Sequence, residues 1–119
     1  MTKHQPQKHL PLSPLTLLIL LVLSERDQHG YDIIKAVQKR WGDTVNPGTG
    51  TFYSALKRLL DDGLLQEATT PPGMASEGPR RRYYAMTDLG RAVLRAETER
   101  LSSILSTARS LDAIPSEGS

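Results

Sequence analysis

The chain has 119 residues, enough for one compact domain with a hydrophobic core and too few for two of ordinary size. Its 15 Lys and Arg against 13 Asp and Glu leave a formal net charge of +2, so bulk composition does not mark a polyanion binder, and any such role must rest on where the cations sit. The absence of cysteine excludes disulfides, thiolate metal sites and thiol catalysis, and agrees with a reducing, cytoplasmic compartment.

Met1 to His9 is polar, contains a proline and has no periodicity, so residues 1–10 are expected to form a disordered arm without a share in the core. Ser13-Pro14 then reads as a helix N-cap followed by proline at the first helical position, opening a helix to about Ser24. Its apolar run from Leu15 to Leu23 is shorter than the roughly 20 residues a bilayer span needs. Lys3 and Lys8 precede that run as they would in a signal peptide, but no small-residue cleavage site follows and Ser24-Glu25-Arg26-Asp27 is charged. A helix apolar on every face is expected to be buried all round, partly by a second subunit.

After a charged turn at Glu25 to Gln28, the residues Ile33, Ile34, Val37 and Trp41 recur at helical spacing, with Asp32, Lys35, Gln38 and Lys39 elsewhere, which predicts an amphipathic second helix. Gly42, Asn46, Pro47, Gly48 and Gly50 punctuate the next stretch, and Thr49 or Thr51 is expected to cap a third helix running to about Asp62 and ended by Gly63. Within it Phe52, Ala55, Leu56, Leu59 and Leu60 mark a core face, while Ser54, Lys57, Arg58 and Asp61 lie off it.

Leu64 to Ala68 reads as a strand leading into a long Pro- and Gly-containing loop, with Arg81 to Met86 as the returning strand. Alternation sets Arg80, Arg82 and Tyr84 on one side and Arg81, Tyr83 and Ala85 on the other. Thr87 is expected to cap a last helix, in which Leu94, Leu101 and Ala108 are spaced by seven, as are Glu97, Ile104 and Leu111. The fold class is therefore mainly α with a small β part. It is read as an αααββ winged helix-turn-helix over residues 11–86, a C-terminal dimerisation helix over 87–111 and a disordered tail over 112–119.

In this order of elements the third helix is the one that enters a major groove, and phosphate contacts call for hydroxyl or cationic donors. Thr49, Thr51, Tyr53 and Ser54 stand at that helix's start, where backbone N–H groups add donors, with Lys57 and Arg58 one turn later. The unbroken triplet Arg80, Arg81 and Arg82 is the strongest local charge asymmetry and falls at the wing.

The segments His29-Gly30-Tyr31, Pro47-Gly48-Thr49-Gly50-Thr51-Phe52-Tyr53, Ala55-Leu56-Lys57-Arg58-Leu59, Asp62-Gly63-Leu64 and Arg81-Arg82-Tyr83-Tyr84-Ala85-Met86-Thr87-Asp88-Leu89-Gly90 resemble the PadR family of transcriptional regulators, from about Pro11 to Arg109. The resemblance implies a winged helix that binds double-stranded operator DNA as a homodimer, usually as a repressor, with the C-terminal helix forming much of the interface. By position it implies phosphate-contacting or groove-facing roles for Tyr31, Thr51, Tyr53 and Lys57 and a wing role for Arg80 to Arg82, to which the placement of Thr49, Ser54 and Arg58 at the start of the third helix adds three more expected DNA contacts. With that pairing helped by the apolar first helix, the expected dimer interface is Leu15, Leu18, Leu94, Leu101, Ile104, Leu105, Ala108 and Leu111. A single helix after the wing is similar to the family's shorter branch. Phe52 stands where leucine is commoner, and Ala85 where a polar residue often stands. That last helix has no aromatic residue, the only tryptophan being Trp41, which argues against stacking of planar drugs there.

Other chemistries find little support. Ser24, His29 and Asp32 have neither an oxyanion hole nor a nucleophile elbow beside them, so no enzyme is expected. His4, His9 and His29 do not form a metal set, and Gly48-Thr49-Gly50 completes no nucleotide-binding pattern, so no cofactor is expected. Tyr83 and Tyr84 are assigned to strand packing and His29 to capping or packing. Two rival readings stand beside DNA binding: a winged-helix protein-interaction module, and, more weakly, a membrane-surface protein using Leu15 to Leu23. A small-molecule effector of unidentified chemistry is left open.

Overall fold

Ser13 does what its place before Pro14 dictates. In the computed structural model, which describes residues 5–69 and 82–115, its Oγ accepts from the Thr16 N–H at 3.2 Å and opens α1 (Pro14–Leu23). Leu18, Ile19, Leu20, Val22 and Leu23 are buried and Leu15, Leu17 and Leu21 half-buried. This helix is the centre of the fold, in contact with α2 (Gly30–Trp41), α3 (Thr49–Asp61) and α4 (Asp88–Ser110). Residue Leu18, expected at a dimer interface, lies in the chain's own core, whereas Leu15 keeps an exposed part.

The periodic stripes pack as their spacing requires. Ile33, Ile34 and Val37 of α2 and Phe52, Leu56 and Leu59 of α3 are buried against α1, with Trp41, Ala55 and Leu60 half-buried at the margins. The N-cap of α3 is Gly48, whose carbonyl accepts the first helical bond from Phe52 N–H at 3.0 Å. Thr49 and Thr51, expected as caps, therefore lie inside the helix. At the other end Gly63 adopts φ +79°, the left-handed region that a residue with a Cβ resists. Leu64 N–H then reaches Leu59 O at 2.9 Å and Gly63 N–H reaches Leu60 O at 3.1 Å, the paired bonds of a glycine-terminated helix.

The sheet corrects the expected two-stranded hairpin. It has three antiparallel strands in the order β1 (Gln28–His29), β3 (Tyr83–Met86), β2 (Leu65–Ala68). The first strand falls where part of a charged turn was expected. Gln28 pairs with Tyr84 and His29 with Tyr83, and the buried Gln28 side chain donates from Nε2 to Val22 O at 3.0 Å. As the central strand, β3 touches both α1 and α4, so Tyr84, Ala85 and Met86 are buried in succession and the expected alternation is lost.

Residues 5–10 also differ from expectation. Pro6–His9 forms a 3-10 turn against α4, and Leu10 and Leu12 pack on the core. Leu12 N–H donates to Glu97 Oε2 at 2.8 Å. Two apolar residues and a backbone hydrogen bond are enough to hold this segment down. Within α4, Val93 is buried and Leu94 half-buried, whereas Leu101, Ile104 and Leu105, all beyond Glu97, are exposed. Among the described residues no helix is long and apolar enough to cross a membrane.

Candidate nucleic-acid interface

Three backbone devices position the candidate surface. The buried stripe of α3 turns Thr51, Ser54, Lys57 and Arg58 outward, and all four are exposed, as is Thr49 in the first turn. Gly30 N–H donates to Arg82 O at 3.1 Å, which fastens the start of α2 to the base of the wing and brings Tyr31 and Arg82 to one side of the molecule. The wing strands carry an ion pair, Arg82 Nε to Glu67 Oε1 at 3.5 Å, with both side chains about half exposed.

The expected contact residues do not all end up equivalent. Tyr31 is 40% exposed at the start of α2, with Lys35 Nζ 5.4 Å from its ring centroid. Lys35 was not singled out in the sequence; its position four residues after Tyr31 on a helix was the available signal. Lys57 is exposed but already engaged, its Nζ lying 2.9 Å from Asp61 Oδ2 one turn on. Tyr53 is half-buried, stacked edge-on to Phe52 at 5.1 Å and packed on the core, so it is not a free groove-facing side chain. Arg80 and Arg81 lie outside the described residues; Arg82 is exposed.

Several nearby groups are structural. Burial holds the Tyr84 phenol above its ordinary pKa, against the pull of Arg82 and with small additions from Glu67 and Tyr53, so it stays neutral as a core residue. His29 packs edge-on to Tyr83 at 5.0 Å between β1 and α2. Glu97 is the one buried carboxylate among the described residues. The hydrogen bond from Arg100 holds its pKa low, against desolvation, and the Leu12 N–H adds to the effect. Its place in the heptad pattern reflects packing within the chain. No group of three His, Cys, Asp or Glu among the described residues is placed to hold a metal ion.

Helices α1 to α3 with a three-stranded sheet, an outward polar face on α3 and a wing rooted beside α2 define a winged-helix protein of the DNA-binding type. Residues 19–96 match the Transcriptional regulator PadR-like family, and the chain belongs to that family. It is a family of transcriptional regulators, not of enzymes.

Curated relatives include an uncharacterized protein of Lysinibacillus sphaericus, 30% identical over 80 residues that cover 67% of this chain and 71% of that one. Transcriptional regulator YqjI of Escherichia coli is 29% identical over 90 residues, 76% of this chain but 40% of the relative. Among solved structures, a PadR family transcription regulator from Clostridium difficile superposes with a TM-score of 0.68 at 28% identity, covering 83% of this chain and 98% of that one. Bacillus subtilis PadR, solved in complex with operator DNA, gives a TM-score of 0.59 at 28% identity over 72% of this chain and 46% of its own.

Proposed function

We propose that this regulator binds double-stranded operator DNA as a homodimer and represses transcription. The observation that carries the reading is the outward face of α3, where Thr51, Ser54, Lys57 and Arg58 are exposed together opposite a fully buried apolar stripe. Hydroxyl and cationic donors at the start of a recognition helix suit phosphates and groove edges. Tyr31 with Lys35, and Arg82 at the base of the wing, add further donors beside that face. The operator complex of the B. subtilis relative supports the same use of the fold.

Dimerisation is assigned to α4. Leu101, Ile104 and Leu105 are between 37% and 51% exposed, Leu111 is 73% exposed at the helix end, and Ala108 is half-buried on the same stretch. Such an apolar row on an extended helix is what a symmetric partner covers. Leu94, half-buried against the core, contributes at the margin, and Leu15 adds an exposed edge of α1. Two recognition helices then meet a palindromic operator whose half-site centres lie about 34 Å apart, or a multiple of that.

The test is binding of purified protein to the promoter region upstream of its own gene, titrated against salt, beside a Lys57→Ala/Arg82→Ala double variant. Specific, salt-steep binding by the parent and its loss in the variant is the expected result. Equal and feeble binding of both to any DNA would overturn the reading in favour of a protein-interaction module.

A further inference from the structure

The outward face of α3 is not polar from edge to edge. Thr51, Ser54, Ala55 and Arg58 recur at i, i+3, i+4 and i+7 and so share one flank of the helix. Beside that flank, between α3, the start of α1 and the segment joining α2 to α3, runs an open recess of 620 Å³ whose lining is mostly apolar. Val45, Pro47 and Ala55 form the side next to the hydroxyls, and all three are only half-buried, so each keeps apolar surface exposed. Pro14 and Leu15 close the far side. The wall is set before any partner arrives. Val45 N–H donates to Trp41 O at 2.7 Å, Val45 packs on the margin of the core, and Pro47 precedes the Gly48 cap that starts α3.

Hydroxyls and a guanidinium suit phosphates and polar base edges, but an exposed apolar wall among them serves neither. The base-pair edges of a major groove carry one apolar group, the 5-methyl of thymine. We infer that Val45, Pro47 and Ala55 form a methyl-reading wall, which selects a thymine in each half-site of the operator by its 5-methyl group. Thr51, Ser54 and Arg58 line the same recess, so a base edge that meets these side chains lies over the apolar wall. The polar groups hold the base pair in position by hydrogen bonds, and the wall distinguishes thymine from a pyrimidine that lacks the methyl. The inference deepens the operator-binding reading above and rests on it.

The experiment starts from the sequence that the full chain protects in its promoter region. Each thymine of a half-site is replaced in turn by uracil, which removes the methyl and keeps every hydrogen-bonding group. Affinities are compared for the parent, Val45→Ala and Ala55→Gly, and the readout is the ratio of thymine to uracil binding, which a general loss of stability leaves unchanged. The expected result for the parent is a loss of about fourfold at one thymine, the equivalent of roughly 0.8 kcal/mol for one buried methyl group. Both variants should show a clearly smaller ratio at that position. There, 5-methylcytosine should also bind more tightly than cytosine, since the methyl is the one difference between them. Specific binding that is indifferent to uracil at every position would overturn the methyl wall and leave operator binding standing. A thymine preference that both variants keep in full would overturn it too, because the methyl is then read elsewhere on the protein. Indifference to uracil together with weaker self-association of Val45→Ala in sedimentation would assign the recess to a second copy of the chain instead. Absence of any sequence-specific binding would remove the operator reading, and this inference with it.

Discussion

Lys57 offers a sharper test of the proposed DNA face than its charge alone suggests, because Asp61 holds it in an exposed i,i+4 pair. Such pairs are worth only about 0.3–0.5 kcal/mol, so DNA can outbid Asp61 for the ammonium. Lys57→Ala is expected to weaken binding to most sequences alike and to flatten the salt dependence by about one unit of slope, as measured by affinity against salt concentration. Asp61→Asn should do the reverse, tightening binding at every salt concentration while the fold is untouched. Glu97 makes a different prediction at the same scale. Its folded-state pKa is lowered, so its contribution to stability is complete above the ordinary carboxylate value and is lost as pH falls through the lowered one. Glu97→Ala strands the Leu12 N–H and is expected to cost about 2 kcal/mol near neutrality in denaturant unfolding. In acid below the usual carboxylate range, the parent's advantage over the variant should shrink.

The helices are held by contacts that a single methyl or hydroxyl group can disturb. A Cβ at Gly90 would stand 2.2 Å from Leu64 O and 2.7 Å from Met86 Cγ, and a backbone carbonyl cannot swing aside. Gly90→Ala should therefore lower stability by about 2 kcal/mol, read as a shift in denaturant midpoint with unchanged slope. Four helices were legible in the sequence because caps and 3.6-residue stripes are local signals: Ser13 before Pro14, Thr87 before Asp88, and the buried faces of α2 and α3. Strand β1 was not legible. Gln28 and His29 have no apolar alternation, and they become a strand only because β3 offers them an open edge. The exposure of the candidate face was legible in the same measure. Spacing alone turned Ser54, Lys57 and Arg58 outward, but it could not foresee that Tyr53 packs on Phe52, that Asp61 holds Lys57, or that Leu10 and Leu12 bring the N-terminal segment onto the body.

For the whole molecule, in the proposed dimer the exposed row on α4 is what makes two binding heads act as one. Ile104→Glu places a charge in the middle of that row, and the expected result is a monomer at micromolar concentration by sedimentation, with the fold retained because Ile104 is half exposed already. Its affinity for a palindromic operator should then fall at least a hundredfold, since the second half-site is no longer engaged from the same molecule.

Thr87 gives this arrangement a property of its own. Its hydroxyl donates to Gly63 O at 2.6 Å and its N–H to Leu64 O at 3.1 Å, so the residue that begins α4 is bolted to the turn that ends α3. In the proposed pair the two reading heads are thus carried on a stiff caliper with no hinge between jaw and handle. One base pair inserted between half-sites moves one of them by about 3.4 Å and rotates it by about 34° around the duplex, a change that side-chain adjustment cannot follow. A regulator built this way acquires new targets by substitutions on the outward face of α3, while the spacing of its operators stays constant.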